Sequence, residues 1–203
     1  MKLDHLAWAS NDLDKGIEEF KRLSGVEAAL GGSHPGHGTR NALVGLGDML
    51  YLAIDGPDPA QEHKNNNGEW MAAMTGFRLT AFATAVDDIE KAATDFTTWG
   101  LKTDIERFGR RRLDGELVEW DALVVADNPF GVALPFVVQW RTEHHPAKSA
   151  PSGCSLSAFK VHHPENNALA DFYRSISLDT EVNHGADPAL IATIAGPKGD
   201  FTL

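Results

Sequence analysis

The chain has one cysteine, Cys154, in 203 residues. A single thiol can form neither an internal disulfide nor a cysteine-based zinc knuckle, so a reducing, cytoplasmic compartment is expected, and Cys154 reads as a small buried side chain. Long apolar runs are missing too. The longest, 131–138, contains a proline and is far too short to span a bilayer. No basic stretch leads into an apolar one at the N-terminus, so no signal peptide is expected. Basic charge is scarce: 18 Lys and Arg stand against 29 Asp and Glu, for a net charge of −11, and the basic residues cluster only between Arg107 and Arg112. Nucleic-acid and membrane partners need a basic field and are not expected, although an arginine patch can serve a small anion. Also absent are a Gly-x-Ser-x-Gly nucleophile elbow, a Ser-His-Asp spacing, and a phosphate-cradling glycine fingerprint between a strand and a helix.

What is present repeats. Three segments share a strand, a short turn and an amphipathic helix: "KLDHLAWASNDLDKGIEEFKRLSGV", "RLTAFATAVDDIEKAATDFTTWGL" and "SLSAFKVHHPENNALADFYRSISL". Apolar residues recur at helical spacing in each: Leu13, Ile17, Phe20 and Leu23, then Ile89, Ala92, Ala93, Phe96 and Trp99, then Leu169, Phe172, Tyr173 and Ile176. Asn11 or Asp12 can cap the first helix and Gly25 end it, while Gly100 closes the second. Strand material follows: 41–45 and 49–55 about a Gly-Asp turn; 103–108, 117–126 and 132–140, split by "LDGE" and "DNPFG"; and the shorter 180–183, 190–194 and 201–203. Each unit therefore reads β-α-β-β-β. The units cover 1–60, 75–141 and 153–203, joined by Pro-, Asn- and Gly-rich linkers, with "WMAAMTG" as a short additional helix. The expected fold class is α+β, in one compact body.

Amphipathic helices must cover one face of a sheet, which leaves the other face to line a cavity. Strand alternation assigns the faces: Leu6 and Trp8 under the helix with His5 and Ala7 towards the cavity, and Leu50, Leu52 and Ile54 opposite Met49, Tyr51, Ala53 and Asp55. The segment "GGSHPGHGTRN" has two readings. It is an irregular connection, or it is a cavity rim in which His34, Thr39 and Arg40 or Asn41 offer donors to an anion or carbonyl oxygen. In "ERFGRRRLDGELVEW", Arg110, Arg111 and Arg112 sit at a hairpin, where one or two point inward to a carboxylate or phosphate or all form a solvated face. Trp120 and Trp140 belong to the cavity wall, stacking a planar ligand, or to the core. His144 and His145 fall in a linker and read as surface or packing residues, and His63, His162, His163 and His184 carry no further signal.

Four stretches, "LDHLAWASNDLD", "GGSHPGHGTRNAL", "LPFVVQW" followed by "HHPAKSAPSGC", and "GPKGDFTL", resemble those of the glyoxalase-like domain proteins, a branch of the vicinal oxygen chelate superfamily. The resemblance covers nearly the full chain. It implies a cup-shaped pair of half-barrels, the vicinal oxygen chelate fold, with small ligands inside and often a divalent metal at the base. The metal would take one ligand from the first strand and one from the fourth strand of each half-barrel. His5 matches the first position. The fourth-strand position, where the branch commonly reads "YLEL", falls at Ala53 in "YLAI". Ala81 and Ser157 stand at the first-strand positions of the later units, and Val138 or Gln139 at the last strand of the second. One histidine remains of four ligands, so no cofactor is expected. A metal, if bound, would use His5 with Asp55 and His34 or His37. Glyoxalase I and two-histidine, one-carboxylate dioxygenase activities are disfavoured.

The expected function is binding or transformation of a small anionic or carbonyl-bearing metabolite without the usual metal site. Its contacts would come from His34, Thr39, Asn41, Tyr51, Arg110, Arg111, Trp120 and Trp140, with His5 as general acid/base if there is catalysis. A non-catalytic binding module and a metal-dependent lyase or isomerase with rearranged ligands remain open. Two units would pair into the cup. The third would pack on an edge or support a homodimer, because an odd number of units leaves an edge to be covered.

Overall fold

A computed structural model describes residues 1–112 and 114–203, so Leu113 of the "LDGE" turn lies outside the described residues. The first unit contains β1 (Lys2–Ala9), α1 (Leu13–Ser24), β2 (Ala29–His34), β3 (Thr39–Gly45) and β4 (Tyr51–Pro57). A short helix, α2 (Asn67–Ala72), leads to the second: β5 (Arg78–Ala85), α3 (Ile89–Thr98), β6 (Lys102–Arg111), β7 (Leu117–Ala126) and β8 (Phe136–Trp140). The third holds β9 (Ser155–His163), α4 (Asn166–Ser175), β10 (Glu181–His184), β11 (Ala189–Gly196) and β12 (Gly199–Thr202). No helix among the described residues is long and apolar enough to cross a membrane.

The first two units build matching half-barrels, in the orders β1-β4-β3-β2 and β5-β8-β7-β6. They join along an antiparallel β1–β5 seam, and a single pairing of Ser33 with Arg111 closes the barrel on the far side. Their helices start alike. Asp12 accepts from the Asp14 and Lys15 amides at 3.1 and 3.2 Å, and Asp88 accepts from the Lys91 amide at 2.9 Å. Gly25 ends α1 with φ 83°, a left-handed turn that a side chain would disfavour.

Two sequence expectations change. The glycine-rich segment is not a loose connection: Gly31–His34 belong to β2, Thr39–Asn41 to β3, and only 35–38 form the turn. Glycine and proline hide β2 from any apolar pattern. The third unit keeps the element order but not the strand order, which is β10-β9-β11-β12. β11 runs antiparallel along one edge of β9 and β10 parallel to Lys160–His163 on the other, which leaves the start of β9 to a single bond from the Leu156 amide to the Leu46 carbonyl of the first unit.

That unit does not sit on a barrel edge. It packs across the outer side of the wall, where Phe159 and Tyr173 meet Phe82, Phe201 meets Phe20, and Phe172 meets Phe96. The Tyr173 hydroxyl, buried in this layer, donates to the carbonyl of Ala133. Leu6, Trp8, Leu52 and Ile54 point into this outer core. The opposite faces of the same strands are thereby left for the barrel interior, as alternation requires.

Candidate functional site

The barrel encloses a cavity of about 580 Å³. Its linings differ by side: β1, β3 and β4 contribute His5, Asn41, Tyr51 and Asp55, and β6, β7 and β8 contribute Phe108, Trp120, Phe136 and Trp140. Trp70 and Met71 of α2 reach the mouth.

His5 is placed by an irregularity in β1. Leu3 pairs with Thr84 and His5 with Ala83, so Asp4 is an extra residue in the ladder. A bulge redirects side chains, and this one lets consecutive residues meet: Asp4 Oδ1 lies 2.6 Å from His5 Nδ1. The other oxygen, Oδ2, accepts from Trp140 Nε1 and His145 Nε2, each at 2.9 Å. His145 Nδ1 accepts the Ala147 amide at 3.2 Å, so the proton of a neutral His145 sits on Nε2 and points at Asp4. Burial pushes the Asp4 carboxyl up, but the bonds from His145 and His5, the charge of His5 and the Trp140 bond outweigh it and hold Asp4 well below the usual carboxylate range. An ionised Asp4 takes the Nδ1 proton of His5 as its hydrogen bond. Nε2 of that ring has no hydrogen-bond partner among the described residues, and the ring lines the cavity, stacked on Tyr51 at 4.7 Å.

A second chain of bonds holds the cation. Arg110, 5% exposed, donates from Nη1 to Asn41 Oδ1 at 3.3 Å. That bond orients the amide, so Asn41 Nδ2 donates to His34 Nε2 at 3.4 Å, and His34 Nδ1–H donates to Thr39 Oγ1 at 2.9 Å. Burial first, then the Arg110 charge, pushes His34 down to about 3, which keeps it neutral. A Cβ on Gly31 would lie 2.2 Å from Asn41 Oδ1 and 2.3 Å from Arg110 Nη1, so glycine there is what admits the Arg110–Asn41 contact. On the neighbouring strand, where it pairs directly with Asn41, Asp55 is pushed up to about 6 by burial against the opposing pull of His5, Arg110 and Asn41. Burial also raises the Tyr51 phenol well above its ordinary value, so it stays protonated.

The family's metal positions do not assemble a ligand set. His5 is one of them, with Nδ1 held by Asp4. Ala53 pairs with Ala7 in the first half-barrel as Phe136 pairs with Ala83 in the second, so the position matching Ala53 is Phe136 rather than Val138 or Gln139. Gln139 points outward and accepts the Ile89 amide at the start of α3, 3.0 Å away. Of the rearranged set, His34 has both ring nitrogens engaged, whereas His37 lines the cavity with its ring against Phe108. No group of three or more His, Cys, Asp or Glu side chains that could hold a metal occurs among the described residues.

His5, His34, His37, Thr39, Asn41, Tyr51, Asp55, Arg110, Trp120 and Trp140 all line the cavity. Arg111 does not; it is exposed, and its Nη1 donates to the Gly115 carbonyl. Alternation explains the split, since Arg110 and Arg111 are neighbours on β6. Of the two readings of His145, surface or packing, the structure supports packing, since it is 7% exposed and edge-on to Tyr51 and Trp140, and adds a bond to Asp4. Asp4 and Phe108 were not singled out by sequence. A carboxylate next to His5 was the available signal for Asp4, but regular strand alternation argues against such a pair.

The half-barrel pair around an interior cavity is the vicinal oxygen chelate architecture. The family model for the glyoxalase-like domain matches residues 3–176, and the chain belongs to that family. A hypothetical protein from Staphylococcus aureus is similar in fold, with a TM-score of 0.67 at 15% identity over 99% of this chain and 84% of that one. Methylmalonyl-CoA epimerase from Mycobacterium tuberculosis gives a TM-score of 0.47 at 18% identity, over 68% of this chain and 86% of that one. A methylmalonyl-CoA epimerase in complex with methylmalonyl-CoA gives 0.48 at 20% identity, over 71% and 98%. No curated protein matches the sequence.

Proposed function

We propose that the protein binds a small carboxylate- or carbonyl-bearing molecule in the cavity and moves a proton on it with His5, without a metal. The observation that carries this reading is the 2.6 Å contact between Asp4 and His5 Nδ1, in a ring that lines the same cavity as the buried Arg110. With Nδ1–H bonded to Asp4, the lone pair of Nε2 takes a proton from the bound molecule, and Asp4 stabilises the imidazolium that forms. Arg110 stabilises negative charge developing on a ligand oxygen, and the Tyr51 hydroxyl remains a donor throughout. Return of the proton from Nε2 restores the site.

The test is exchange of ligand hydrogen for solvent deuterium, followed by NMR, on carboxylates that first raise the thermal stability of the protein. His5→Gln is expected to retain binding and lose exchange. Undiminished exchange in that variant removes His5 from the chemistry. The rival reading, a binding module without catalysis, draws on the engagement of His34, Thr39 and Asn41 with one another. It predicts binding with no exchange in the wild type.

A further inference from the structure

On the aromatic side of the cavity Trp140 has a part in the proton transfer, through its Nε1–H bond to Asp4, whereas Phe108 and Trp120 have none. Phe108 pairs directly with Trp120 in the β6–β7 ladder, and Trp120 with Trp140 in the β7–β8 ladder. Three large rings therefore stand side by side on one face of three adjacent strands. Phe108 and Trp120 lie within 13° of parallel with centroids 6.2 Å apart, and Trp140 follows at 5.5 Å with its plane turned 56° from that of Trp120. Such spacing makes a continuous wall rather than a pair of jaws, because the rings touch one another and leave no gap for a third between them.

These rings are not part of the main apolar core. That core lies outside the barrel and is filled by other aromatics, whereas Phe108, Trp120 and Trp140 are each partly exposed inside it. Arg110 stands two residues beyond Phe108 on β6, hence on the same face and roughly 6–7 Å further along. A buried cation thus sits one strand repeat from an aromatic wall that lines the cavity, with His37 against the Phe108 ring.

We infer that the ligand is a planar aromatic acid, its ring system against Phe108 and Trp120, its edge against the tilted Trp140, and its carboxylate at Arg110. The inference rests on the anion-anchoring part of the function proposed above and names the class of molecule anchored. A cavity of about 580 Å³ lies in the range of drug-sized ligands, so acids of two or three rings fit it better than benzoate. The opposite wall places His5 and Tyr51 over the ring or its substituents.

Calorimetric titration of the full chain with 2-naphthoate, its saturated analogue decahydro-2-naphthoate and 2-naphthylmethylamine tests this. The aromatic acid is expected to bind roughly tenfold more tightly than the saturated acid, since stacking adds to area burial, and the amine not at all. Trp120→Leu should remove most of that preference, weakening the aromatic acid more than the saturated one, since only the aromatic acid loses stacking as well as buried area. Phe108→Leu, which keeps an apolar volume at the neighbouring position, should reduce the preference in the same direction. Equal binding of the two acids overturns the aromatic assignment and leaves the anchoring by Arg110 standing. Tighter binding of the amine overturns the charge assignment. If neither acid binds, the aromatic-acid inference is overturned, while the proposed function falls only if no carboxylate raises the thermal stability of the protein.

Discussion

The two half-barrels share one construction on the outside and differ on the inside. Outside, Asp12 and Asp88 cap α1 and α3, Leu13 and Ile89 open their apolar stripes, and Phe20 and Phe96 are both wholly buried. Inside, the positions matching His5 and Ala53 are Ala81 and Phe136. The outer faces solve one shared problem, covering a sheet with a helix, and equivalent residues serve both halves. The cavity faces have separated, with proton-active groups on one side and ring surface on the other. Arg110 is the exception: it comes from the aromatic half and is bonded to Asn41 of the other. The two linings therefore depend on each other across the Ser33–Arg111 closure.

His5→Gln should break the inner asymmetry most severely. Loss of a positioned acid/base group lowers the exchange rate by roughly 10²–10⁴. Asp4→Asn, which keeps the shape but offers His5 an amide in place of a carboxylate, should lower it less and change its pH profile. An intact rate and profile in the Asn variant would show that Asp4 does not position His5.

Phe20→Ala and Phe96→Ala sharpen the outer symmetry. Both rings are wholly buried, each against an aromatic residue of the third unit, so each loss should cost about 3–5 kcal/mol in urea unfolding. A large inequality between the two would mean that the third unit supports only one half.

Asp55→Asn probes the polar lining through pH. A carboxyl raised from its ordinary 3.8 to about 6 binds more protons in the folded than in the unfolded chain between those values. Stability from this group is therefore complete below pH 4 and falls as pH rises through about 6. The Asn variant escapes that loss. It should gain on the order of 2–3 kcal/mol relative to wild type between pH 4 and pH 7, measured by urea unfolding at each pH. A constant difference across the range would show that Asp55 titrates alike in both states.

Much of this was legible before any coordinates. Helical stripes and strand alternation placed His5, Tyr51 and Asp55 on the cavity side and Leu6, Trp8, Leu52 and Ile54 on the core side, because a period of two leaves no choice once one face is buried. Four features were illegible, each for a physical reason. Strand β2 is made of residues with poor strand preference and is held by pairing with β3. The bulge at Asp4 breaks the alternation from which faces are inferred. His145 is brought to Asp4 from 141 residues away, and nothing in "RTEHHPAKS" marks one histidine over its neighbour. Strand order in the third unit was hidden for the same kind of reason: element order alone does not decide which edge of β9 the last strands take.

The smallest effect concerns the helix caps, where the outer symmetry is close but not complete. Asp12 accepts two amide hydrogens and Asp88 one. Replacing a capping aspartate by alanine costs about 1 kcal/mol, because a first-turn amide loses its partner and the carboxylate no longer faces the positive end of the helix. Asp12→Ala should therefore exceed Asp88→Ala by a few tenths of a kcal/mol at neutral pH, with the loss at Asp12 smaller at pH 2. Asp12 is also held below the ordinary carboxylate range by its bonds to Lys15, so protonating it removes part of what alanine removes. Equal losses at neutral pH would mean that the second bond at Asp12 adds nothing to the first. The two halves would then be equivalent at their helix starts as well as in their cores.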